Sequence, residues 1–528
     1  MNLLMDNWIP AVRASGVLER IAPWQISDRD DPVIEIASSR PDFQGALYQF
    51  LIGVLQSIVP PANQDEWFEH WQSPPDLDAL KKSFEKFAAA FELFSNQGPA
   101  FLQDFDMPDG EQKYIASLLI DAPGGKTLKD NLDHFVKGGS VSGACESCVA
   151  AAIFTLQTNA PSGGVGHRVG LRGGGPLTTL LRPGDNPILW RKLWINVLCS
   201  EDLCAGPLAV DHTIFPWMAP TRTSEKGLAI LPGDVNPLQM FWGMPRRLRL
   251  ESETKSGRCD LCGQHAEALY STYRTKNYGM NYEGPWVHPL TPYRFDGKNQ
   301  NPPLSLKGQK GGLGYRHWLG LTWIDADSGD RAALNVHTFN HQRFNALEET
   351  EKNVRLWCFG YDMDNMKARC WYESEMPVLR ISEEYREVFI SFVCTLIEAA
   401  REVIKELRSQ VKSAWFNRPA DVKGDTSMID ASFWSATESS FYDQLDLLGR
   451  ESNEARFMPA IVARNWLKTL RTISVDLFDD WTLSGNAEDL DMKRITKARR
   501  IFIGKLSKIK AMKDLEQRAE ITKEEIQA

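Results

Sequence analysis

The sequence predicts an α+β protein: a large mixed N-terminal domain, residues 1–377, followed by a C-terminal four-helix bundle, residues 378–528. Three observations predict it. The first two thirds of the chain mix short apolar runs with dense Gly and Pro punctuation. Two C-x2-C pairs fall within that part. From about residue 378 the texture changes to long stretches of helical periodicity. At 528 residues the chain is also too long for one simple core.

The elements follow in order. "ALYQFLIGVLQSIV" (46–59) is apolar nearly all round, which predicts a buried helix. "LDALKKSFEKFAAAFELF" (77–94) is amphipathic, with Leu80, Phe84, Phe87, Phe91 and Phe94 on one side. "CESCVAAAIFTLQ" (145–157) predicts a helix that begins at its cysteines. Between about 160 and 375, runs such as "PLTTLLRP" and "MPRRLRLES" read as strands of small sheets. Residues 383–416 predict one long helix, with Tyr385, Val388, Phe389, Phe392, Leu396 and Val403 largely at three- and four-residue steps. A second helix spans 430–449, with Asp430 as its cap and Gly449 as its stop. A third spans 453–481 with a kink at Pro459, and a fourth spans 486–517. Four long helices with short to moderate connections make a bundle.

Hydrophobic content of 43% and charged content of 24% are ordinary for a globular protein. No basic start precedes a long apolar run, and no stretch reaches the roughly 18 apolar residues of a membrane span, so neither signal peptide nor membrane partner is expected. Nine scattered cysteines argue against a disulfide framework and for a reducing cytoplasm. The net charge of −9 disfavours nucleic acid only if read as a sum, because binding follows local patches. The 17 tryptophans are expected mostly in the core.

The cysteine pairs are Cys145–Cys148 and Cys259–Cys262. They lie much farther apart than the arms of a zinc ribbon, so the fold must join them. The alternatives are a redox pair or core cysteines. All four together predict a structural Zn²⁺ that staples a loop-rich region, since four thiolates leave no open ligand position for catalysis. Cys199, Cys204, Cys358, Cys370 and Cys394 read as buried small hydrophobes.

"PSGGVGHRVGLRGGGPLTTLLRP" (161–183) interleaves seven glycines with His167, Arg168, Arg172 and Arg182. Glycine permits close backbone approach and arginine supplies charge for phosphates. A helix precedes it and a strand follows, the reverse of a dinucleotide fingerprint, and no P-loop Lys-Ser/Thr pair is present. A backbone loop pressed against nucleic acid fits; so does an ordinary Gly-rich connection. Near the C-terminus, Lys493, Arg494, Lys497, Arg499, Arg500, Lys505, Lys508, Lys510 and Lys513 occur with no acid between 492 and 513. Such a face neutralises phosphates without reading sequence, or is simply solvated. "PRRLRL" (245–250), with Arg274, Lys276, Tyr278 and Tyr282 beyond it, mixes cations with aromatics as single-strand binders do, or forms a solvated hairpin. The acids of "DFDMPDG" (104–110) and "YDMDNMK" (361–367) lack a calcium-loop pattern and read as surface turns. No H-E-x-x-H, G-x-S-x-G or kinase set occurs, so binding is favoured over catalysis.

The stretches "NLLMDNWIP", "HFVKGGSVSGACESC", "APSGGVGHRVGLRGG", "LPGDVNPLQMFWGMPRRLRL", "CDLCGQ", "GPWVHPLTPY" and "GYDMDNMKARCWYESEMP" occur in an order that resembles the CasA family. CasA is the large subunit of Cascade, the type I-E CRISPR surveillance complex. The resemblance covers nearly the whole chain and implies a role without catalysis. The partners would be a CRISPR RNA, double-stranded target DNA, the backbone, small and handle-capping Cascade subunits, and a helicase-nuclease recruited later. The subunit would read a short PAM in target DNA, mainly from the minor groove, and open the duplex so that guide pairing begins. The bundle would help hold the displaced strand, through Lys493, Arg494, Lys497, Arg500, Lys505 and Lys508.

Carried over residue by residue, the family's glycine loop falls on Gly163, Gly164 and Gly166, with Pro161-Ser162 where relatives often have Pro-Gly. The lysine that enters the minor groove falls on Lys276, with Arg274 as rival. The wedge falls on Asp364, Asn365 and Met366, where some relatives place a glutamine at the tip and apolar side chains can unstack bases. The loop that contacts the guide's handle and the PAM-proximal region falls on Phe135 and Val136, followed by Lys137 where some relatives have an asparagine. The zinc ligands fall on the four cysteines. Two rivals remain at this level: a Mg²⁺-dependent, zinc-stapled nuclease using Asp362 and Asp364, and a purely structural scaffold.

Overall fold

A computed structural model describes the chain except residues 108, 124–128, 130–138, 185–187, 253, 299, 309–311, 349–352, 365–366, 422–423, 451–456, 486–489 and 526–528. Two compact units emerge. The first joins Met1–Gly308 to Ile324–Glu375; the second joins Gln309–Trp323 to Met376–Ala528.

In chain order the helices are α1 (Pro41–Ile58), α2 (Gln64–Gln72), α3 (Leu77–Glu85), α4 (Glu146–Asn159), α5 (Leu189–Trp194), α6 (Trp318–Thr322), α7 (Leu334–Thr338), α8 (Glu383–Trp415), α9 (Ser427–Gly449), α10 (Ala460–Leu483), α11 (Met492–Leu506) and α12 (Lys510–Glu525). The strands are β1 (Ile9–Arg13), β2 (Leu18–Ile21), β3 (Val33–Ile36), β4 (Glu111–Tyr114), β5 (Ala144–Cys145), β6 (Thr178–Pro183), β7 (Arg247–Leu250), β8 (Thr254–Arg258), β9 (His265–Tyr270), β10 (Thr272–Lys276), β11 (Tyr293–Arg294), β12 (Leu304–Ser305), β13 (Ile324–Asp325), β14 (Asp330–Arg331), β15 (Val354–Asp364) and β16 (Lys367–Val378). They form small sheets ordered β2-β1-β3, β4-β10-β7, β12-β11-β14-β13, β16-β15-β6 and β5-β9-β8.

The first unit is built around α1. Sixteen of its eighteen residues are buried, as an all-round apolar helix requires. Phe50 makes edge-on contacts with Trp8, Phe91, Phe101, Phe154 and Trp242, so one aromatic cluster ties α1 to several other segments. Its buried amides are satisfied: Gln56 exchanges two 2.8 Å hydrogen bonds with the Leu198 backbone, and Gln49 accepts from Arg172 at 2.6 Å. The amphipathic 77–94 stretch is not one helix. It ends at Glu85 and resumes as a 3-10 turn over Ala88–Phe91, which brings both Phe84 and Phe91 to full burial.

In the second unit, α8 runs 33 residues, about 50 Å. α9, α10, α11 and α12 all pack on it. Trp466 of α10 donates to the Leu396 carbonyl of α8 at 2.9 Å. Tyr315, from the preceding segment of this unit, stacks on Phe441 at 4.3 Å and bonds the Thr437 hydroxyl at 2.9 Å.

Three expectations change here. α9 starts at Ser427, and Asp430 pairs with Arg408 instead of capping. Pro459 is the N-cap of α10, so it starts the helix and does not kink it. The fourth helix is two. After Leu506 the chain turns at Ser507–Ile509, which lets α11 pack along α8 and α12 along α10. Among the described residues, no helix is long and apolar enough to cross a membrane.

Candidate metal centre and nucleic-acid interface

Cys145 closes β5 and is the N-cap of α4, whose first turn carries Cys148. Cys259 and Cys262 lie on the turn after β8. That turn is closed by Cys259 N–H donating to the Gln264 carbonyl and Gly263 N–H donating to the Cys259 carbonyl, each at 2.9 Å. Gly263 has φ +71°, a conformation that favours glycine. Two devices join the arms across more than a hundred residues. β9 pairs with both β5 and β8. The Asp260 carboxylate accepts from the backbone N–H of Ser142 at 2.7 Å and of Gly143 at 2.9 Å.

The four sulfurs lie within 4.8 Å of one another, with Cys145 and Cys262 at 3.7 Å. Four thiolates around a tetrahedral zinc, each about 2.3 Å from it, would stand roughly 3.8 Å apart. The donor set therefore fits a closed structural metal site. Hydrogen bonds from Cys145 and Cys148 hold Cys259 well below the usual thiol range, and the same sharing pushes Cys148 up. The Cys145 N–H also points at the Cys259 sulfur, at 3.3 Å. Cys145 is the N-cap of α4, so this contact sets the Cys259 sulfur at a helix N-terminus, which favours negative charge.

Only Ser271 separates the end of β9 from the start of β10, so the cysteine arm leads through β9 to Lys276 at the end of β10. The residues after it grip the glycine loop. Tyr278 N–H donates to the Gly166 carbonyl at 2.7 Å, and the Asn277 amide donates to the Val165 carbonyl at 2.9 Å. Gly164 and Gly166 have φ +69° and +76°. A Cβ on Gly166 would lie 2.8 Å from Asn277 Cβ, whereas one on Gly164 would meet nothing within 4 Å. The loop presents Val165, 75% exposed, at its apex. Gly279 is equally constrained, since a Cβ there would lie 2.0 Å from the Pro245 carbonyl oxygen. Tyr278 takes φ +65° and closes this turn through its backbone N–H.

Several cations turn inward. Arg246 donates to the Pro161 carbonyl, Arg247 pairs with buried Asp104, and Arg249 bonds the Gly98 and Asp104 carbonyls at 2.9 Å each. "PRRLRL" is therefore neither a solvated hairpin nor an open basic patch, and Asp104 is no surface turn. Arg172 is also buried; burial pushes it and Arg246 down to about 10. Arg168 bonds Ser224, and Arg182 bridges Glu35 and Glu375. Arg274 pairs with Glu251 at 3.0 Å. Lys276 pairs with Asp109, a partner that sequence reasoning passed over as a turn residue.

Asp364 ends β15, exposed, with Arg369 at 3.5 Å. Asp362 is buried and held by Arg369 through two bonds of 3.0 and 2.6 Å. The rival nuclease would thus have to free its acids from an arginine. The other wedge residues, Asn365 and Met366, and the handle-loop residues Phe135, Val136 and Lys137, lie outside the described residues. Cys204 and Cys370 are exposed and Cys394 is half-buried, not buried as expected.

On α11, Lys493, Lys497 and Arg500 are exposed at helical spacing, and Lys508 is exposed on the turn beyond. Arg494 is turned inward: it donates to the Ala414 carbonyl at 2.8 Å and the Trp415 carbonyl at 3.2 Å, capping α8. Lys505 pairs with Glu406 at 2.9 Å and Arg499 with Asp479 at 2.7 Å.

The family model described as CRISPR-associated protein Cse1 matches residues 2–477. The fold is similar to a CRISPR-associated protein from Thermus thermophilus, at TM-score 0.69 and 17% identity over 96% of this chain and 99% of that one. It is similar to Thermobifida fusca Cse1, at TM-score 0.69 and 15% identity over 96% and 98% of the two chains. It also matches a chain of a CRISPR RNA-guided surveillance complex, at TM-score 0.69 and 13% identity over 96% and 99%. The family match runs over most of the sequence, and the chain belongs to the CRISPR-associated Cse1 family.

Proposed function

We propose that this chain is the non-catalytic large subunit of a type I-E, CRISPR RNA-guided Cascade complex acting in the cytoplasm. It reads the PAM in double-stranded target DNA, starts R-loop formation and then recruits a separate helicase-nuclease. One observation carries the reading: the glycine loop is locked by Asn277 and Tyr278 to the end of the Lys276 strand, which follows the strand that leaves the four-cysteine cluster. Backbone glycine and a lysine side by side suit a minor groove, where close approach and a hydrogen-bond donor are what can be read. Residues 1–377 would form the recognition domain and 378–528 the bundle domain.

Within this reading, Cys145, Cys148, Cys259 and Cys262 hold Zn²⁺, which supplies a fixed junction and no chemistry. The wedge residues Asp364, Asn365 and Met366 part the first base pairs, and Phe135, Val136 and Lys137 meet the guide's handle and the PAM-proximal region. Lys493, Lys497, Arg500 and Lys508 line the displaced strand. The inward-facing Arg494 and the paired Lys505 contribute less directly, by fixing the helix.

The test is duplex binding by the guide-loaded assembly, with and without this chain, across PAM variants. The reading expects PAM-dependent binding only when the chain is present, without strand cleavage. Mg²⁺-dependent cutting by the isolated chain, or PAM-independent binding in its presence, would contradict it. Neutralising Lys493, Lys497, Arg500 and Lys508 together should weaken binding for all target sequences and lower the slope of log K against log salt by up to roughly three. A change in PAM preference alone would refute the role given to that face.

A further inference from the structure

We propose that Asp109 is a positioning residue that sets the threshold for nucleic-acid contact by Lys276: its carboxylate holds the ammonium in the free protein and must be displaced by an acceptor on the duplex. The inference rests on the proposed PAM-reading role of Lys276. The sheet places the pair. β4 runs antiparallel to β10 with Glu111 opposite Thr275, so the residues just before β4 come beside Lys276. Gly110 allows that approach, since a Cβ there would lie 2.9 Å from Arg274 Cβ, and its carbonyl accepts from Arg274 at 3.3 Å.

Neighbouring charges are already engaged. On the other side of Lys276, Arg247 is committed to Asp104, with Glu225 at 3.6 Å, and Arg274 is committed to Glu251. Asp109 differs from those acids. Asp104 and Glu251 are 4% and 16% exposed, whereas the Asp109 side chain is 76% exposed and that of Lys276 29%. A buried pair would lock the lysine; a surface pair is weak and screened by salt. The lysine is therefore held in place yet released at small cost. A phosphate or a minor-groove acceptor competes for the same ammonium, and Asp109 would repel a phosphate that approaches without engaging it.

The experiment measures affinity of the guide-loaded assembly for a PAM-bearing duplex at low and high salt, with Asp109→Asn, Asp109→Glu, Lys276→Ala and the Asp109→Asn/Lys276→Ala double variant. Asp109→Asn should tighten binding about two- to fivefold at low salt and less at high salt. Asp109→Glu should restore wild-type affinity, and the gain should vanish in the Lys276→Ala background. Because Asp109 is exposed on a turn, thermal melting should be unchanged. Unchanged or weaker binding by Asp109→Asn would overturn the inference, as would a gain that persists without Lys276. By contrast, a Lys276→Ala variant with full PAM-dependent affinity would overturn the parent reading.

Discussion

Replacing Cys259 with serine is expected to abolish tight metal binding and PAM-dependent duplex binding together. Cys259 is tied to the rest of the cluster by its sulfur and by its backbone. Its sulfur receives the Cys145 N–H, and its backbone closes the turn that carries Cys262. A serine oxygen is a poor replacement for a thiolate at a soft four-sulfur site. A structural metal's binding energy is folding energy, so the loss should amount to several kcal/mol locally. The damage should spread along β9 into β10, which carries Lys276. Metal analysis of the purified chain and duplex binding by the assembled complex check this. Wild-type metal content in Cys259→Ser would refute the four-cysteine site. Lost metal with intact PAM dependence would show that the clamp does not position the lysine.

The second large effect is expected at Gly166. Alanine there must accept φ +76° and place a Cβ 2.8 Å from Asn277 Cβ. The left-handed backbone alone costs roughly 1–2 kcal/mol. The clash adds to it, because Asn277 and Tyr278 follow Lys276 directly and are bonded to the loop. Gly164→Ala incurs the backbone cost at φ +69° but meets no atom within 4 Å. PAM-duplex affinity should therefore fall on the order of tenfold or more for Gly166→Ala, and clearly less for Gly164→Ala. Equal losses at the two positions would mean that grip on the 277–278 turn is not what the glycine provides.

Local features were legible in the sequence. The C-x2-C arms, the buried helix over 46–59 and the long helix over 383–416 announce themselves through spacing or periodicity. What was illegible depends on partners far along the chain. Nothing near Arg247 reveals that Asp104 neutralises it, and nothing near Arg494 reveals the open carbonyls at the end of α8. A run of cations therefore read as a nucleic-acid patch where the fold uses three arginines as internal ties. The break at Ser507–Ile509 was hidden for a related reason. Apolar spacing continues through it, and only packing against two different helices separates α11 from α12. Asp109 was hidden because an acid in a Pro-Asp-Gly turn explains itself locally, while its ion pair is set by strand register.

If the clamp and the glycine loop present Lys276 to a target duplex, PAM discrimination should depend on that one side chain. The most direct measurement is the ratio of affinities for PAM-bearing and PAM-lacking duplexes, taken with the guide-loaded assembly containing either wild-type chain or Lys276→Ala. The ratio should collapse toward one in Lys276→Ala while metal content and melting temperature stay at wild-type values. A ratio that remains at its wild-type value in Lys276→Ala would contradict it.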